Sequence, residues 1–303
     1  FIAAFGERSE GLVGRKIHAD RGIAGLVYRT GNAYSTVDAR SDRHFYGAVD
    51  DEIAYNSRSI VAIPIRIEQQ VCGVLELLNR RGRIGYTDQD KNLLEIFAGY
   101  ISISIQNVLD GRQAQEIAKR DNLTGLYNDR FLHIELTSVI EKARAAGTDL
   151  AVLFLDLDLF KRVNDTHGHL AGSQVLREVG EILHGTVEPL GAFAARYGGD
   201  EFVLVLAGSD LESAVELAED VRESILENVF SRAPGDIQSE PLNLTGLTCS
   251  IGVATLARHV AADASPEATK SALLRLADAA MYVAKETGRN RTAVAGEPVK
   301  RRR

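Results

Sequence analysis

Apolar positions follow two different rhythms along this chain, and together they predict an α/β (α+β) protein. Unbroken apolar runs at 150–155 and 202–206 are typical of buried strands. Two further apolar runs, at 59–67 and 71–79, are separated by a short polar bend and predict neighbouring strands. The segment 22–31 predicts a short helix that ends at its last glycine.

A longer apolar stripe predicts one long helix over 88–120. The stripe recurs at three- and four-residue steps and comprises Leu94, Phe97, Ile101, Ile105 and Val108. A stripe that continues past the core of its own domain needs a partner, and a second copy of the same helix is the simplest one. The alternative is that the helix packs only on its own domain.

Composition narrows the class of protein. A net charge of −7 over 303 residues disfavours general nucleic-acid binding. No apolar run is long enough to span a membrane and no signal peptide is visible, so we expect a bacterial-type cytoplasmic protein with no membrane segment in this chain. Cys72 and Cys249 lie in apolar segments, which predicts small core residues rather than a disulfide or a metal pair. The basic tail at 297–303 is expected to be a frayed terminus.

A pair of glycines, Gly198 and Gly199, lies between two apolar runs and predicts a β-hairpin with a tight turn. Asp200 and Glu201 leave this turn at once, and Gly199 has no side chain to keep a ligand away. Two acids beside such a backbone outline a site for a nucleotide and Mg²⁺. Taken alone, the pattern is more commonly that of a hairpin tip with solvated acids.

The buried run at 150–155 also ends in acids, since Asp156 and Asp158 follow it. Strand alternation places these two carboxylates on one face. The polar, glycine-containing stretch 162–173 then predicts a loop that leads into an amphipathic helix. A strand that ends in acids and a hairpin that carries acids can converge on shared metal ions, whereas the alternative is a strand end exposed to solvent.

In this order, the segments resemble the GGDEF family of diguanylate cyclases from about Arg120 to about Thr292. The matching segments are 121–128, 156–161, 164–169, 198–202, 248–254 and 278–290. The resemblance implies a ferredoxin-like nucleotidyl-cyclase domain at 121–296 with a largely antiparallel sheet. It also implies a transferase that uses Mg²⁺ (or Mn²⁺) to condense two GTP into cyclic di-GMP and pyrophosphate for second-messenger signalling. Because each domain contributes half of the active site, a homodimer is implied.

The family's functional residues carry over onto matching positions of this chain. By resemblance, the catalytic acids are Asp156, Asp200 and Glu201, and the metal ligands are these three with the backbone carbonyl of Leu157. The implied phosphate contacts are backbone amides around Leu159, Phe160 and Lys161 and the side chains of Lys285 and Arg289. The implied base contacts are Asn164 and Ser173, with Gly198 and Gly199 permitting close backbone approach. Lys285 and Arg289 are also consistent with a solvated helix end, where cations are favoured anyway.

Ser173 departs from the family pattern, which has Asp at this position. That Asp, together with the residue matched by Asn164, reads guanine by accepting hydrogen bonds that adenine does not offer. A serine hydroxyl both donates and accepts, so relaxed base selectivity with GTP and ATP is expected. Serine here resembles the hybrid promiscuous GGDEF subgroup, which makes cyclic GMP-AMP alongside cyclic di-GMP. The alternatives are a mainly mixed GTP/ATP cyclic GMP-AMP synthase and a non-catalytic ligand-binding scaffold with a degenerate cyclase domain.

A second departure concerns product inhibition. Many relatives carry Arg-x-x-Asp ahead of the hairpin, whereas the matching stretch 189–192 of this chain has neither charge. We therefore expect no product-inhibition site, and a submicromolar calorimetric Kd for cyclic di-GMP at this stretch would contradict that.

The N-terminal segment 1–87 resembles the later two-thirds of a GAF domain, so the domain is expected to be incomplete at its N-terminus. The matching pieces are 22–25, 42–45, 58–59, Pro64 and 73–79. GAF domains bind small ligands or dimerise, which implies an unknown small ligand here. A cyclic nucleotide is one candidate, because Asn79, Arg80, Tyr86 and Asp90 partly match a cyclic-nucleotide signature. The alternative is a strand end followed by a helix N-terminus. The helix 88–120 is then a signalling helix that couples the GAF domain to the cyclase domains.

Overall fold

The computed structural model describes residues 1–82 and 85–298. The chain forms two compact units, Phe1–Gln115 and a second unit that begins at Glu116. The domain boundaries expected from the sequence (1–87, 88–120, 121–296 and 297–303) stay a prediction. Residues 299–303 of the expected basic tail lie outside the described residues. None of the described helices is both long enough and apolar enough to cross a membrane.

The first unit contains a three-stranded antiparallel sheet in the order β1-β2-β3. The predicted strands and the helix that ends at Gly31 are confirmed, and Gly31 takes the left-handed conformation (φ 69°) that a helix end favours. Cys72 is exposed, so its predicted core position is wrong, because it lies on the edge strand β3. The elements are α1 (Gly22–Thr30), β1 (Tyr34–Thr36), α2 (Ala48–Ile53), β2 (Ile60–Ile67) and β3 (Gln70–Leu78).

The predicted long helix is confirmed as α3 (Asp88–Ala118). Near its start, Leu94 and Ala98 are buried in a cluster with Val61 and Ile63 of β2. Phe97, which lies between Leu94 and Ala98, is exposed to solvent, and so are Ile105 and Val108 further along the predicted stripe. Packing within its own domain therefore accounts for only the beginning of the stripe.

The second unit has a six-stranded sheet in the order β4-β6-β7-β5-β8-β9. Its four central strands are antiparallel, as expected, and only the edge strands β4 and β9 pair in parallel. A single 3₁₀ turn, Glu188–Leu190, precedes β6. The elements are β4 (Tyr127–Asn128), α4 (Asp129–Ala146), β5 (Leu150–Leu157), α5 (Phe160–Val187), β6 (Phe193–Gly198), β7 (Glu201–Ala207), α6 (Leu211–Glu227), β8 (Cys249–Thr255), α7 (Leu256–His259), α8 (Pro266–Glu286) and β9 (Arg291–Val294).

Helices cover both faces of this sheet, and β5 is buried along its whole length. Leu153 and its odd-numbered neighbours pack against α5 and α6. Val152 and its even-numbered neighbours pack against α4 and α8. At Gly252 of β8, a Cβ atom would lie 2.0 Å from the carbonyl oxygen of Ala277, so only glycine lets α8 pack this closely. The fully buried sheet explains the unbroken apolar runs in the sequence.

The predicted loop at 162–173 is wrong, because this stretch is helical and belongs to α5. The helix is interrupted only at Gly168, whose backbone (φ 85°, ψ 163°) departs from helical geometry. The polar residues that suggested a loop, such as Arg162 and Asp165, instead lie on the exposed side of the helix. These residues are polar because they face water on the outside of a helix, and not because the segment is a loop.

Candidate active site

Two carboxylates lie side by side where the inner strands β5 and β7 pair. Asp156, near the end of β5, is paired in antiparallel register with Glu201, the first residue of β7. Directly opposed residues in such a pair have Cβ atoms about 4.5–5.5 Å apart and point to the same face of the sheet. The convergence of strand-end and hairpin acids that the sequence suggested is therefore present in the fold.

The hairpin turn contains only two residues, because Gly198 pairs directly with Glu201. Gly199 takes a positive φ of 54°, as expected for a tight turn, whereas Gly198 does not need one. A shift of register between Arg196 and Gly198 marks a bulge just before the turn. Bulges next to functional sites redirect side chains, and this one precedes both Asp200 and Glu201.

Lys285 reaches the acid pair from the last turn of α8. Its Nζ lies 2.6 Å from Oδ2 of Asp156, which is a buried residue. The close packing of α8 on Gly252 brings this end of the helix towards β5 and β8. The ammonium group therefore offsets part of the negative charge of the acid pair.

The acids have raised pKa values because they are crowded and poorly solvated. Burial raises the pKa of Asp156 to about 6, although Lys285 opposes this and Asp200 and Glu201 add to it. Burial also raises the pKa of Glu201, with Lys285 opposing and with Asp278 and Asp200 adding to the effect. Clustered carboxylates of this kind favour a site that binds cations.

The donor set of the acid pair fits a hard divalent ion that shares its ligands with a substrate. Mg²⁺ is usually bound through one or two carboxylates together with substrate phosphates. Asp156 and Glu201 provide two carboxylates, and the carbonyl of Leu157 follows directly along the strand. Within 1–82 and 85–298, no group of three or more His, Cys, Asp or Glu side chains is arranged as a metal centre. The acid pair offers two carboxylates to such an ion, and Mg²⁺ commonly completes its shell with water and substrate phosphate oxygens.

A pocket of about 330 Å³ lies beside the hairpin turn and is large enough for a nucleotide base. Asn164 sits tightly against the backbone of Gly172, where a Cβ atom would lie 1.9 Å from its Oδ1. The fold thus brings the predicted base residues together with part of the predicted phosphate and catalytic set. The pocket is lined by Leu123, Phe160, Lys161, Asn164, His169, Gly172, Ser173, Leu176, Arg196, Gly199 and Asp200.

The start of α5 has the backbone conformation of an anion-binding turn. Leu159 takes a left-handed conformation (φ 56°), and the helix begins at Phe160 without a side-chain cap. First-turn N–H groups have no acceptor within their own helix, and the helix dipole favours an anion near them. The expected phosphate contacts Leu159, Phe160 and Lys161 therefore lie together at this helix start, where the side chains of Leu159 and Lys161 are exposed and that of Phe160 is buried. Their role in phosphate binding stays a prediction.

Arg289 lies beyond the helix that carries Lys285. Helix α8 ends at Glu286, and Arg289 follows in a turn with a left-handed backbone (φ 59°). Its side chain is exposed to solvent. The two predicted phosphate-binding cations thus lie on either side of a helix end rather than on one helical face.

Sequence reasoning missed a side chain that ties down the catalytic turn. Arg196 donates to the carbonyl oxygen of Gly199 from Nη2 at 2.7 Å and from Nε at 3.0 Å. The same guanidinium lies 3.2 Å from Oδ1 of Asp121, which also accepts from the backbone and hydroxyl of Thr124. Arg196 therefore fixes the turn before Asp200 to the first residues of the second unit. An arginine two residues before a Gly-Gly turn was the only available signal.

Asp278 is a second missed residue. It lies on α8, seven residues before Lys285, and its negative charge raises the pKa of Glu201. Seven residues is two helical turns, so the spacing places Asp278 and Lys285 on one side of the helix. That spacing was visible in the sequence, but its relation to Glu201 depends on how α8 packs.

The residues of the partial cyclic-nucleotide signature make contacts within the protein. The guanidinium of Arg80 lies 2.6 Å from Oδ2 of Asp90, across the start of α3. Asn79 accepts from the backbone N–H of Arg58 and donates to the hydroxyl of Tyr55. These contacts match the alternative interpretation, a strand end followed by a helix N-terminus. A small ligand of this unit stays a prediction.

The stretch 189–192, which was compared with the product-inhibition motif of the family, spans the end of the 3₁₀ turn and the two residues that precede β6. Its residues are Pro, Leu, Gly and Ala, so it offers no charged side chain. The expected absence of product inhibition stays a prediction.

Comparison with known families and proteins identifies both parts of the chain. Residues 118–291 match the family described as "Diguanylate cyclase, GGDEF domain". Residues 2–106 match the family described as "GAF domain". Both resemblances inferred from motifs are therefore confirmed.

Individual relatives point the same way. Response regulator PleD of Caulobacter vibrioides is 38% identical over 193 residues, covering 64% of this chain and 38% of that protein. Diguanylate cyclase DosC of Escherichia coli is 30% identical over 249 residues, covering 82% of this chain and 49% of that protein. The chain thus spans less than half the length of either relative.

Among solved structures, the chain is similar to the coiled coil and GGDEF domain of DgcB from Caulobacter crescentus in complex with c-di-GMP. That likeness has a TM-score of 0.58 at 28% identity and covers 67% of this chain and 99% of the other. The fold of the second unit is therefore shared with a protein that was crystallised with a cyclic dinucleotide.

Proposed function

We propose that this chain, which belongs to the GGDEF family of diguanylate cyclases and carries a GAF domain, condenses two GTP into cyclic di-GMP and pyrophosphate. The observation that carries the proposal is the paired carboxylates of Asp156 and Glu201, with Lys285 at 2.6 Å, at the edge of the sheet. The base-sized pocket that includes Asp200 lies on the same hairpin. Such a reaction uses nucleotides of the cytoplasm, where we place the protein.

The acid pair and the nearby cations have complementary roles in this reaction. Asp156, Glu201 and the carbonyl of Leu157 would hold Mg²⁺ or Mn²⁺. When bound, the ion supplies Lewis-acid polarisation of the α-phosphate and stabilises the charge that develops on it. Lys285 would leave Asp156 for the substrate's phosphates, and Arg289 would bind them from the adjoining turn. Amide groups at the start of α5 complete the phosphate contacts.

Asp200 is placed to serve the attacking group. It lines the pocket and follows Gly199, whose lack of a side chain leaves the backbone open to a ligand. The 3′-hydroxyl of one nucleotide would attack the α-phosphate of the other, and Asp200 would accept the hydroxyl proton. The α–β phosphoanhydride bond breaks and pyrophosphate leaves. Since each nucleotide is both attacker and target, two domains must face each other, which requires a homodimer.

Ser173 supports relaxed base selectivity within this function. Ser173 and Asn164 both line the pocket. The hydroxyl group of Ser173 stands where a carboxylate is expected in relatives. We therefore propose that ATP is accepted beside GTP, giving some cyclic GMP-AMP. A mainly mixed-product enzyme is the second candidate and rests on the same hydroxyl.

A product assay tests the proposed function directly. The protein is incubated with Mg²⁺ and equimolar GTP and ATP, and the products are identified by mass spectrometry while pyrophosphate is quantified. We expect cyclic di-GMP together with cyclic GMP-AMP. Cyclic di-GMP alone would refute relaxed selectivity, and no pyrophosphate from any nucleotide mixture would refute the cyclase itself, leaving a ligand-binding scaffold. Addition of cyclic nucleotides tests whether the GAF domain regulates the rate.

Metal affinity should depend strongly on pH below neutrality. Asp156 has a pKa of about 6, and only its deprotonated carboxylate can hold a cation. Protons therefore compete with the metal below pH 6, and the affinity is expected to fall about tenfold per pH unit there. Mn²⁺ titration by electron paramagnetic resonance between pH 5 and 7.5, with a non-reactive GTP analogue present, measures this. Asp220→Asn, on the exposed side of α6, is the control and should keep the profile, whereas a flat wild-type profile would contradict the assignment.

The exposed stripe on α3 should hold two copies of the chain together. Phe97, Ile105 and Val108 are 52%, 36% and 55% exposed, which is costly unless a partner covers them. We expect single cysteines at these positions, in a Cys72→Ser background, to give disulfide-linked homodimers under mild oxidation. A cysteine at the exposed Glu95 is the control for random collision. Monomeric behaviour in analytical ultracentrifugation at micromolar concentration would contradict the helix pairing.

A further inference from the structure

Asp158 lies just after the strand end that carries Asp156, but its carboxylate accepts hydrogen bonds from other groups of the protein. Oδ1 accepts from the hydroxyl of Ser250 at 2.7 Å, and Oδ2 accepts from the hydroxyl of Thr248 at 2.7 Å. Oδ2 also accepts from the backbone N–H of Asn290 at 3.0 Å. The residue is buried, so these donors replace water around the charge. Asp158 is thus an internal anchor, in contrast to Asp156 two residues earlier.

The segment that Asp158 anchors has an unusual backbone. Gly288, Arg289 and Asn290 have successive positive φ values of 126°, 59° and 46°. Residues other than glycine rarely adopt this region, and such a conformation persists only where surrounding contacts hold it. The turn also carries Arg289 and begins two residues after the end of α8, which bears Lys285.

A buried arginine holds the same turn from the other side. Arg222 of α6 is 1% exposed and donates from Nη1 to Oδ1 of Asn290 at 3.0 Å. Its charge is balanced by Glu219 and Glu223, each at 2.9 Å. Asn290 therefore makes two hydrogen bonds. The backbone N–H of Asn290 donates to Asp158, and the side-chain oxygen of Asn290 accepts from Arg222.

We propose that Asn290, held by Asp158 and Arg222, is a positioning residue that sets the turn so that Lys285 and Arg289 face the β- and γ-phosphates of the substrate. The inference rests on the proposed function, since it assigns the partner of those two cations. It gives Arg222 of α6 a part in triphosphate recognition. It also explains why two adjacent non-glycine residues keep a left-handed backbone at the edge of the site.

Binding of a GTP analogue with a methylene group between the α- and β-phosphorus atoms tests the inference apart from turnover. Asn290→Ala is expected to weaken binding of this analogue about tenfold, the size of effect expected when an anchoring hydrogen bond to a charged group is lost. Binding of GMP, which lacks both distal phosphates, should change less than about twofold. Asn290→Asp keeps an acceptor for Arg222 and a residue type that tolerates the left-handed region, so it should restore most of the affinity.

Asn243 provides the matched control. It is exposed and has a similar backbone (φ 50°), so Asn243→Ala carries comparable conformational strain far from the turn in sequence. This variant should bind the analogue like the wild type. Equal weakening of analogue binding by both alanine variants, or no rescue by Asn290→Asp, would overturn the inference. Either result would leave the proposed cyclase function unaffected. If the wild type binds the analogue with this variant pattern but releases no pyrophosphate, the proposed function fails and the positioning role stands.

Discussion

Glu201→Gln should reduce pyrophosphate release from GTP by roughly 10³-fold, because it removes one of the two paired carboxylates that we propose as ligands of the divalent ion. Glutamine has nearly the same shape, so the hairpin should stay folded. Burial raises the pKa of Glu201 in the wild type, with Lys285 opposing this and repulsion from Asp278 and Asp200 adding to it. The neutral amide removes the cost of burying a charge together with this repulsion. The melting temperature of the variant should therefore equal or exceed that of the wild type near pH 7.

Steady-state kinetics with a coupled pyrophosphate assay measures this loss, and calorimetry measures the melting temperature. Glu216→Gln is the matched control, because Glu216 is an exposed glutamate on α6. It should leave turnover unchanged. Turnover within about tenfold of the wild type in Glu201→Gln, at saturating Mg²⁺, would show that this carboxylate does not hold the ion needed for phosphoryl transfer.

Ser173→Asp should shift the enzyme towards guanine by about a hundredfold in the ratio of GTP to ATP incorporation. An aspartate carboxylate accepts from N1–H and the 2-amino group of guanine, whereas adenine presents no donors in that arrangement. Ser173 lines the pocket together with Asn164, so the new carboxylate would lie in the same cavity.

Mass spectrometry of products from mixed GTP and ATP measures the shift as the ratio of cyclic di-GMP to cyclic GMP-AMP. Ser173→Ala separates a gained acceptor from a lost hydroxyl, since it removes the hydroxyl without adding a carboxylate. Only Ser173→Asp should favour cyclic di-GMP strongly. An equal change in both variants would mean that residue 173 does not read the base.

Local pattern was sufficient for much of the fold. The unbroken run at 150–155 became the central strand β5, and the stripe from Leu94 became the long helix α3. Gly199 adopts the positive φ that its turn requires. These features depend on neighbours within a few residues, namely side-chain periodicity and the steric freedom of glycine, so sequence alone could reveal them.

The pattern of apolar and polar residues gave wrong predictions where the polarity or burial of a residue depends on contacts outside its own segment. The polar stretch 162–173 was expected to be a loop, but it is a helix whose polar residues face water, interrupted only at Gly168. Cys72 was expected in a core, but β3 is an edge strand and leaves it exposed. Strand order and solvent exposure are properties of the assembled sheet.

The amino-acid sequence by itself determined which chemical groups are available: acids after a strand and after a glycine turn, cations much later in the chain, and a serine at the position expected to read the base. Only the tertiary structure decided that Asp156 lies opposite Glu201 and that Lys285 contacts Asp156. It also decided that Asp158 accepts a hydrogen bond from the backbone N–H of Asn290. The reason is that strand register and helix packing are set by contacts between residues far apart in the chain. Those contacts follow from burying two apolar layers against one sheet, which no short window of sequence encodes.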